Sequence, residues 1–191
     1  MKDVANIALR LIVITVIAGL LLGFTYSSTK EPIVQQEALK ASESRRVVLN
    51  DASDFEQIDL GSLNLPEEYG VIQEAYLGIN NGETIGITVS MTVTGYSAGL
   101  NITAGIKSDG TVAGVDIGSH SETPGLGAKA GDPEYLAQYK GLTPPANVVK
   151  TEPQNSGDVQ AITGATITSK AVSDAVNLAA EFYNQYVKEG V

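Results

Sequence analysis

The sequence predicts an α+β protein: a single N-terminal transmembrane helix and stalk, then a twisted, mostly antiparallel sheet with packed helices. Three observations predict this architecture. An uncharged apolar run fills residues 11–26, segments rich in β-branched residues are separated by short Asn/Gly and Asp-Gly turns, and a long amphipathic segment lies near the end. Strands joined by such short turns pair antiparallel, so a doubly wound parallel sheet is disfavoured.

The composition excludes several classes of function. The chain has no cysteine, which excludes disulfides, thiolate catalysis and Cys-ligated zinc or iron–sulfur clusters, and its one histidine excludes sites that need two imidazoles. Its net charge of −10 argues against nucleic acid as a partner, because binding to phosphates relies on basic side chains. We therefore predict no metal site and no catalytic residue; chemistry must use hydroxyls, carboxylates, backbone amides or a cofactor.

Residues 9–26 are predicted to form a membrane anchor after a short tail at residues 1–8. The run of about 18 residues is at the lower end of what crosses a bilayer. Two alternatives are a buried core helix and a cleavable signal peptide. Positive charges flank the run on both sides, so their distribution does not fix the orientation. The shortness of the tail favours a cytoplasmic N-terminus in the inner (cytoplasmic) membrane, with the folded domain on the extracytoplasmic side.

Residues 27–50 are predicted to form a stalk helix between the anchor and the domain. The segment 31–49 has a helix-forming composition and an approximate apolar stripe, and Pro32 suits a first helical turn. The acidic segment 50–66 lacks periodicity and is predicted to be rich in loops.

The folded domain is predicted to occupy residues 51–191. It has 6 Lys+Arg against 18 Asp+Glu, a local charge of −12. Its strands are predicted at residues 70–79, 84–93, 100–107 and 111–117.

Two helices are predicted to accompany the sheet. The shorter covers residues 132–139, with Asp132 as its N-cap. The longer covers residues 169–188, with Thr168 as its N-cap. Its predicted buried face consists of Ala171, Val172, Ala175, Val176, Ala179, Phe182, Tyr183 and Tyr186.

The first segment that could carry function covers residues 119–129 and reads SHSETPGLGAK. One interpretation is a structured surface turn, in which Pro124 and Gly125 form a type II bend. The alternative is a loop whose glycines let backbone amides approach a planar or anionic ligand. The residues alone leave both interpretations open.

The second segment covers residues 158–169 and reads DVQAITGATITS. Four hydroxyl residues surround Gly164 and Ala165 just before the longest predicted helix. A helix N-terminus carries partial positive charge and free N–H groups, so phosphate binds there readily. An ordinary capping region would have the same composition.

Both segments resemble signatures of a known family. The run TGATIT at residues 163–168, with Asp158 upstream, resembles the flavinylation motif of bacterial FMN-binding domains. The run HSETPGLG at residues 120–127 resembles the second signature of that family. With the N-terminal anchor, nearly the whole chain resembles the G subunits of Rnf ion-translocating electron-transport complexes. The C subunit of sodium-pumping NADH:quinone reductase is a close relative.

The resemblance implies a cofactor and its site. FMN would be joined through its phosphate to the Thr166 hydroxyl as a phosphodiester, formed by a separate flavin transferase. Thr163, Gly164 and Ala165 would surround the phosphate, with Thr168 capping the helix. The residues that would flank the isoalloxazine are Glu122, Thr123, Leu126 and Gly127.

The resemblance also implies a role in electron transfer. The chain would be one flavoprotein member of a ferredoxin:NAD oxidoreductase complex that couples electron transfer to Na⁺ or H⁺ transport. Its partners would be the bilayer and the other membrane and peripheral subunits. Two alternatives are a stand-alone membrane-tethered flavin reductase, with His120 and Glu122 as its acid–base pair, and a non-redox anchored scaffold.

Overall fold

The structure is a computed structural model that describes residues 2–188. The chain divides into two compact units, Met1–Lys40 and Ala41–Val191. The first helix, α1, covers Lys2–Val48 without interruption and contains Pro32 in its interior. The prediction that Pro32 opens a separate helix is therefore wrong. An interior proline costs about 3 kcal/mol, and the helix-forming residues on both sides offset that cost.

The apolar part of α1 is long enough to cross a membrane. An 18-residue window has a mean hydropathy of 2.5, and none of it is buried. The alternative of a buried core helix is therefore wrong. An anchor and a signal sequence share this length and composition.

A five-stranded antiparallel sheet forms the centre of the second unit, with its strands in chain order. The four predicted strands are confirmed within two residues at each end. In the first turn, Asn81 and Gly82 both have positive φ (51° and 82°), as a type I′ hairpin requires. The strands are β1 Asp54–Gln57, β2 Ile72–Asn80, β3 Glu83–Val93, β4 Leu100–Lys107 and β5 Val112–Ile117.

Other elements lie outside this sheet. A short parallel pair of strands there was not predicted. Within the sheet, the edge strand β1 falls in the segment predicted to be loop. The predicted helix at 132–139 is four α-helical residues followed by a 3-10 turn, and the Asp132 side chain makes no capping bond. These elements are β6 Asn147–Val149, β7 Asp158–Gln160, α2 Pro133–Leu136, and α3 Thr166–Phe182 continued by a π-helical segment at Tyr183–Val187.

One face of the sheet packs against α3 to form the core. The amphipathic pattern of α3 is confirmed, because the predicted apolar face is buried apart from two partly buried residues. Fully buried strand side chains meet it from alternate positions of β3 and β4, as the period of two requires. They are Ile87, Val89, Met91, Ile102, Ala104 and Ile106.

The opposite face of the sheet is polar and contacts the last turns of α1. Arg45 forms an ion pair with Glu74 at 3.2 Å and lies 4.0 Å from the centroid of the Tyr76 ring. Ser44 donates a hydrogen bond to Asp116. The helix lies close because Gly105 has no side chain: a Cβ there would be 2.7 Å from the carbonyl oxygen of Val48.

The Gly105 contact gives a prediction about stability. We expect Gly105→Ala to lower the free energy of unfolding by about 1–3 kcal/mol, because the added methyl must displace the backbone of Val48. Thermal unfolding of the detergent-solubilised full chain measures this. Gly70→Ala is the matched control, since a Cβ at Gly70 meets nothing within 4 Å. Equal melting temperatures for the two variants would contradict the assignment.

Candidate functional site

The candidate site is a cavity of about 550 Å³ in the second unit, formed by three segments of the chain. These segments are the loop after β3, the loop at residues 122–127 and the first turn of α3. All the predicted site residues except Thr163 line this cavity. Thr163 directly precedes the lining residue Gly164 in the chain, and its side chain is exposed to solvent. The lining residues are Tyr96, Glu122, Thr123, Leu126, Gly127, Gly164, Ala165, Thr166, Ile167 and Thr168.

The loop at residues 122–127 is both a structured turn and a wall of the cavity. The Leu126 N–H donates to the carbonyl oxygen of Thr123 at 3.1 Å. Gly125 has a φ of 77°, which the second central residue of a type II turn requires. The predicted type II bend at Pro124 and Gly125 is therefore confirmed, and its presence is compatible with a role in binding.

A second turn precedes α3. The Ala165 N–H donates to the carbonyl oxygen of Ile162 at 2.9 Å, and Gly164 has a φ of 80°. A side chain at Gly164 would be strained by this φ, and its Cβ would lie 3.1 Å from Cδ2 of Leu126. Gly164 thus lets this turn approach the loop at residues 122–127.

Helix α3 begins at Thr166, three residues before its predicted start. Its N-cap is Ala165, with no side-chain capping bond, so the prediction that Thr168 caps the helix is wrong. The Thr168 side chain is fully buried and donates to Oε2 of Glu122 at 2.8 Å instead. The cavity therefore faces the first turn of α3, where backbone N–H groups lack helical acceptors.

The Thr166 side chain is half-buried at the cavity wall. Its hydroxyl forms no hydrogen bond within residues 2–188, unlike the hydroxyls of Thr168 and Ser169. The backbone amide dipoles of α3 place partial positive charge around it. This hydroxyl therefore lies at the cavity wall, at an electropositive helix end, without a hydrogen-bond partner among the described residues.

Ser169 holds the turn before α3 in place. Its buried hydroxyl accepts a hydrogen bond from the Ile162 N–H at 3.0 Å and donates one to the carbonyl oxygen of Ala165 at 3.0 Å. The sequence singled out Ser169 only as one of four hydroxyl residues. Its specific role was not predictable, because it depends on where α3 begins.

A chain of buried hydroxyls continues below Ser169. The Tyr139 hydroxyl lies 3.0 Å from the Tyr135 hydroxyl and 2.9 Å from the Ser173 hydroxyl. Burial raises the pKa of Tyr135 and, more strongly, of Tyr139. Both phenols therefore stay protonated well above neutral pH, and either hydroxyl of each pair can be the donor.

The predicted acid–base pair of His120 and Glu122 is not assembled. Nδ1 of His120 accepts a hydrogen bond from the backbone N–H of Glu122 at 3.3 Å. The Glu122 carboxylate is buried and accepts bonds from the Ser97 N–H at 3.0 Å and from Thr168. His120 does not line the cavity.

Asp158, the upstream member of the motif, lies outside the cavity. Its carboxylate accepts hydrogen bonds from the backbone N–H groups of Gln154 and Asn155, which lower its pKa. Asp158 therefore orders the loop before β7.

The sequence did not assign two of the lining residues, Tyr96 and Ile167. Tyr96 is 71% exposed and Ile167 is 57% exposed, and with Leu126 they form an apolar rim around the cavity. Exposed apolar side chains around a concave site are typical of ligand-binding surfaces. Nothing local in the sequence marked Ile167.

Comparison with known proteins identifies the family. The family described as FMN-binding domain matches residues 95–181, which include every residue that lines the cavity. The G subunit of the Na(+)-translocating ferredoxin:NAD(+) oxidoreductase complex of Acetobacterium woodii is 34% identical over 98% of this chain and 95% of its own length. The G subunit of the ion-translocating oxidoreductase complex of Methanosarcina acetivorans is 34% identical over 95% of each chain.

A solved structure shows the same fold. The C subunit of the Na(+)-translocating NADH-quinone reductase of Parabacteroides distasonis superposes with a TM-score of 0.54 at 21% identity. The match covers 70% of this chain and 77% of that chain. The predicted α+β class, with its antiparallel sheet and packed helices, is thereby confirmed.

The Ser169 contacts give a prediction about local stability. We expect Ser169→Ala to speed hydrogen exchange of the Ile162 amide at least tenfold, because that N–H loses its acceptor, at a cost of about 1–3 kcal/mol. Hydrogen-exchange mass spectrometry of peptides that cover the turn measures this. Ser173→Ala, on the same helix and equally buried, should leave this exchange unchanged. Similar exchange in both variants would contradict the role of Ser169.

Proposed function

Because the chain belongs to the family of G subunits of ion-translocating oxidoreductase complexes, we propose that it is a membrane-anchored flavoprotein that relays electrons within such a complex. One observation supports this above the others: the cavity at the first turn of α3 lies within the FMN-binding region and presents the Thr166 hydroxyl. Relatives are named as members of Na⁺- and proton-translocating ferredoxin:NAD⁺ oxidoreductase complexes. The reaction served here is therefore ferredoxin:NAD oxidoreduction coupled to Na⁺ or H⁺ transport.

The residues of the cavity fit FMN. A volume of about 550 Å³ lies within the range of roughly 300–1,000 Å³ typical of cofactor sites. The apolar rim of Tyr96, Leu126 and Ile167 suits a flat aromatic ring system, and the helix end suits a phosphate. Bound FMN supplies redox chemistry that no side chain of this protein provides.

Attachment of the cofactor is proposed at Thr166. The Thr166 hydroxyl loses its proton, and its Oγ1 forms a bond to the phosphorus of an activated flavin donor, such as a flavin dinucleotide. The bond from that phosphorus to the departing nucleotide breaks, which leaves a phosphodiester. Within residues 2–188, no histidine, lysine or arginine lines the cavity. Among these residues, the one carboxylate that lines it, Glu122, has both oxygens engaged by protein groups. We therefore expect a separate flavin transferase to supply the base.

The other residues of the site would contact the phosphate, the ring system or the transferase. The first-turn amides of α3 would hold the phosphate by N–H groups, and Gly164 and Ala165 would form the wall beside it. Thr123, Leu126 and Gly127 also line the cavity and would flank the ring. Thr163 is exposed beside the turn, where it would contribute to recognition of the motif by the transferase.

The arrangement favours an electron relay over a stand-alone reductase. The reductase interpretation required His120 and Glu122 as an acid–base pair, and the Glu122 carboxylate is bonded to other groups. The chain therefore exchanges electrons with other membrane and peripheral subunits. The scaffold interpretation leaves the cavity and the free Thr166 hydroxyl without a purpose.

The apolar part of α1 is proposed to anchor the protein in the inner membrane. Its composition and length suit a single crossing, with residues 1–8 in the cytoplasm, residues 9–26 in the bilayer and residues 27–50 as the stalk. The FMN-binding domain, residues 51–191, would then lie on the extracytoplasmic side.

The attachment proposal predicts the effect of removing one hydroxyl. We expect Thr166→Ala to abolish covalent FMN in the chain co-expressed with a flavin transferase, because Oγ1 forms the bond. Intact-mass measurement after denaturation detects the mass of one FMN less one water. Thr163→Ala is the matched control and should retain the linkage, with a lower yield. Covalent flavin in Thr166→Ala at the wild-type level would exclude this acceptor.

The proposed orientation predicts labelling from outside the cell. Since the native chain has no cysteine, Ser156→Cys and Glu83→Cys each introduce one exposed thiol. Both should react with a membrane-impermeant maleimide in cells whose outer layers are permeable to it and whose inner membrane is intact. Lys2→Cys should react only after lysis. The reverse pattern would place the domain in the cytoplasm.

A further inference from the structure

The Glu122 carboxylate connects the three segments that form the cavity. Oε1 accepts the Ser97 N–H of the loop after β3, and Oε2 accepts the Thr168 hydroxyl of α3. The segment that carries Glu122 itself forms the third wall. The side chain is 5% exposed and Thr168 is fully buried, so water does not compete for these bonds.

The surrounding backbone is fitted to this carboxylate. A Cβ at Gly127 would lie 2.8 Å from Oγ1 of Thr168 and closer still to Oε2 of Glu122. A Cβ at Gly95 would collide with Oε1. Two glycines from different segments therefore leave the space that the Glu122–Thr168 pair occupies.

Burying a carboxylate in this way is costly. Among the described residues, the ion pair that the structure contains is Arg45–Glu74, so Glu122 has no cationic partner there. A buried charge without a counter-charge is destabilising unless hydrogen bonds satisfy it. The two hydrogen bonds from Ser97 and Thr168 satisfy this carboxylate, and both come from segments that form the cavity, which points to a role in the site.

We propose that Glu122 is a positioning residue for flavin attachment, acting through the Thr168 hydroxyl to fix the first turn of α3. Thr166 lies two residues before Thr168 in that turn, and Ser169 holds the turn from the other side. The hydrogen bond between Glu122 and Thr168 orients the Thr166 hydroxyl toward the cavity, where the transferase acts on it. Both oxygens of Glu122 are engaged by protein groups, so Glu122 shapes the site without being the acceptor or a base. The inference rests on the proposed attachment at Thr166.

The test measures the rate of attachment in the full chain. Purified, flavin-free protein in detergent is mixed with purified flavin transferase and a flavin dinucleotide, well below the melting temperature of each variant. Intact mass is followed over time. Thr168→Val removes the hydroxyl with little change of shape, and Glu122→Asp shortens the carboxylate so that it no longer reaches. We expect both variants to react at least tenfold more slowly, because small displacements of a reacting group have large effects on rate.

Conservative variants and a matched control separate positioning from general stability. Thr168→Ser keeps the hydroxyl, and Glu122→Gln can accept from Ser97 and donate to Thr168, so both should react within about threefold of the wild-type rate. Tyr139→Phe removes an equally buried hydroxyl bond away from the cavity. It should lower the melting temperature and leave the attachment rate unchanged.

The outcomes are distinguishable. Wild-type rates in Thr168→Val and Glu122→Asp would overturn the role of Glu122, as would an equal slowing in Tyr139→Phe. Failure of the wild-type chain to gain FMN, or gain of FMN by Thr166→Ala, would instead overturn the proposed attachment. Slow reaction in the two loss variants, with recovery in Thr168→Ser and Glu122→Gln, supports the inference.

Discussion

The first turn of α3 is the constraint on which the candidate site depends. Buried hydrogen bonds fix it from two sides: Ser169 closes the preceding turn onto the helix, and Thr168 joins the helix to Glu122. Because these two side chains are engaged in the protein interior, the Thr166 hydroxyl is left at the cavity wall with free helical amides around it. Burial therefore separates Thr168 and Ser169, whose hydroxyls are engaged inside the protein, from Thr166 and the exposed Thr163; of these two, Thr166 lines the cavity.

The strands and hairpins were predictable from the sequence because their signals are local. Alternation of β-branched residues and the Asn81-Gly82 and Asp109-Gly110 turns determine both position and pairing. The start of α3 was placed three residues late, because Thr168 matches the composition of an N-cap. In the structure the Thr168 hydroxyl is buried and donates to the Glu122 carboxylate, because this charge-assisted hydrogen bond is stronger than a capping bond to a backbone N–H. The edge strand β1 has no comparable local signal, since its pairing with β2 supplies the order.

Some site residues were predictable from local sequence motifs and others were not. The two glycine-containing turns and the hydroxyl cluster were recognisable as motifs, and the structure brings them to one cavity. The exposed side chain of Ile167 carries no signal of its own, because an apolar residue in an amphipathic helix is expected to face the core. Its place on the rim follows from α3 starting at Thr166, which turns Thr168 inward and leaves Ile167 facing outward. An error of three residues in a helix start therefore changes which side chains are assigned to the site.

The electrostatics of the cavity follow from the same turn. The domain carries a net charge of −12, and no lysine or arginine among the described residues lines the cavity to offset it. An anionic phosphate at this place must be stabilised by backbone N–H groups and by the dipole of α3, each effective over about one helical turn. The buried Glu122 charge opposes that stabilisation, and its two hydrogen bonds from Ser97 and Thr168 reduce the opposition. The covalent bond to Thr166 that we propose would make retention of the phosphate independent of this unfavourable balance of charges, and this would be a physical reason for attaching a cofactor in an acidic domain.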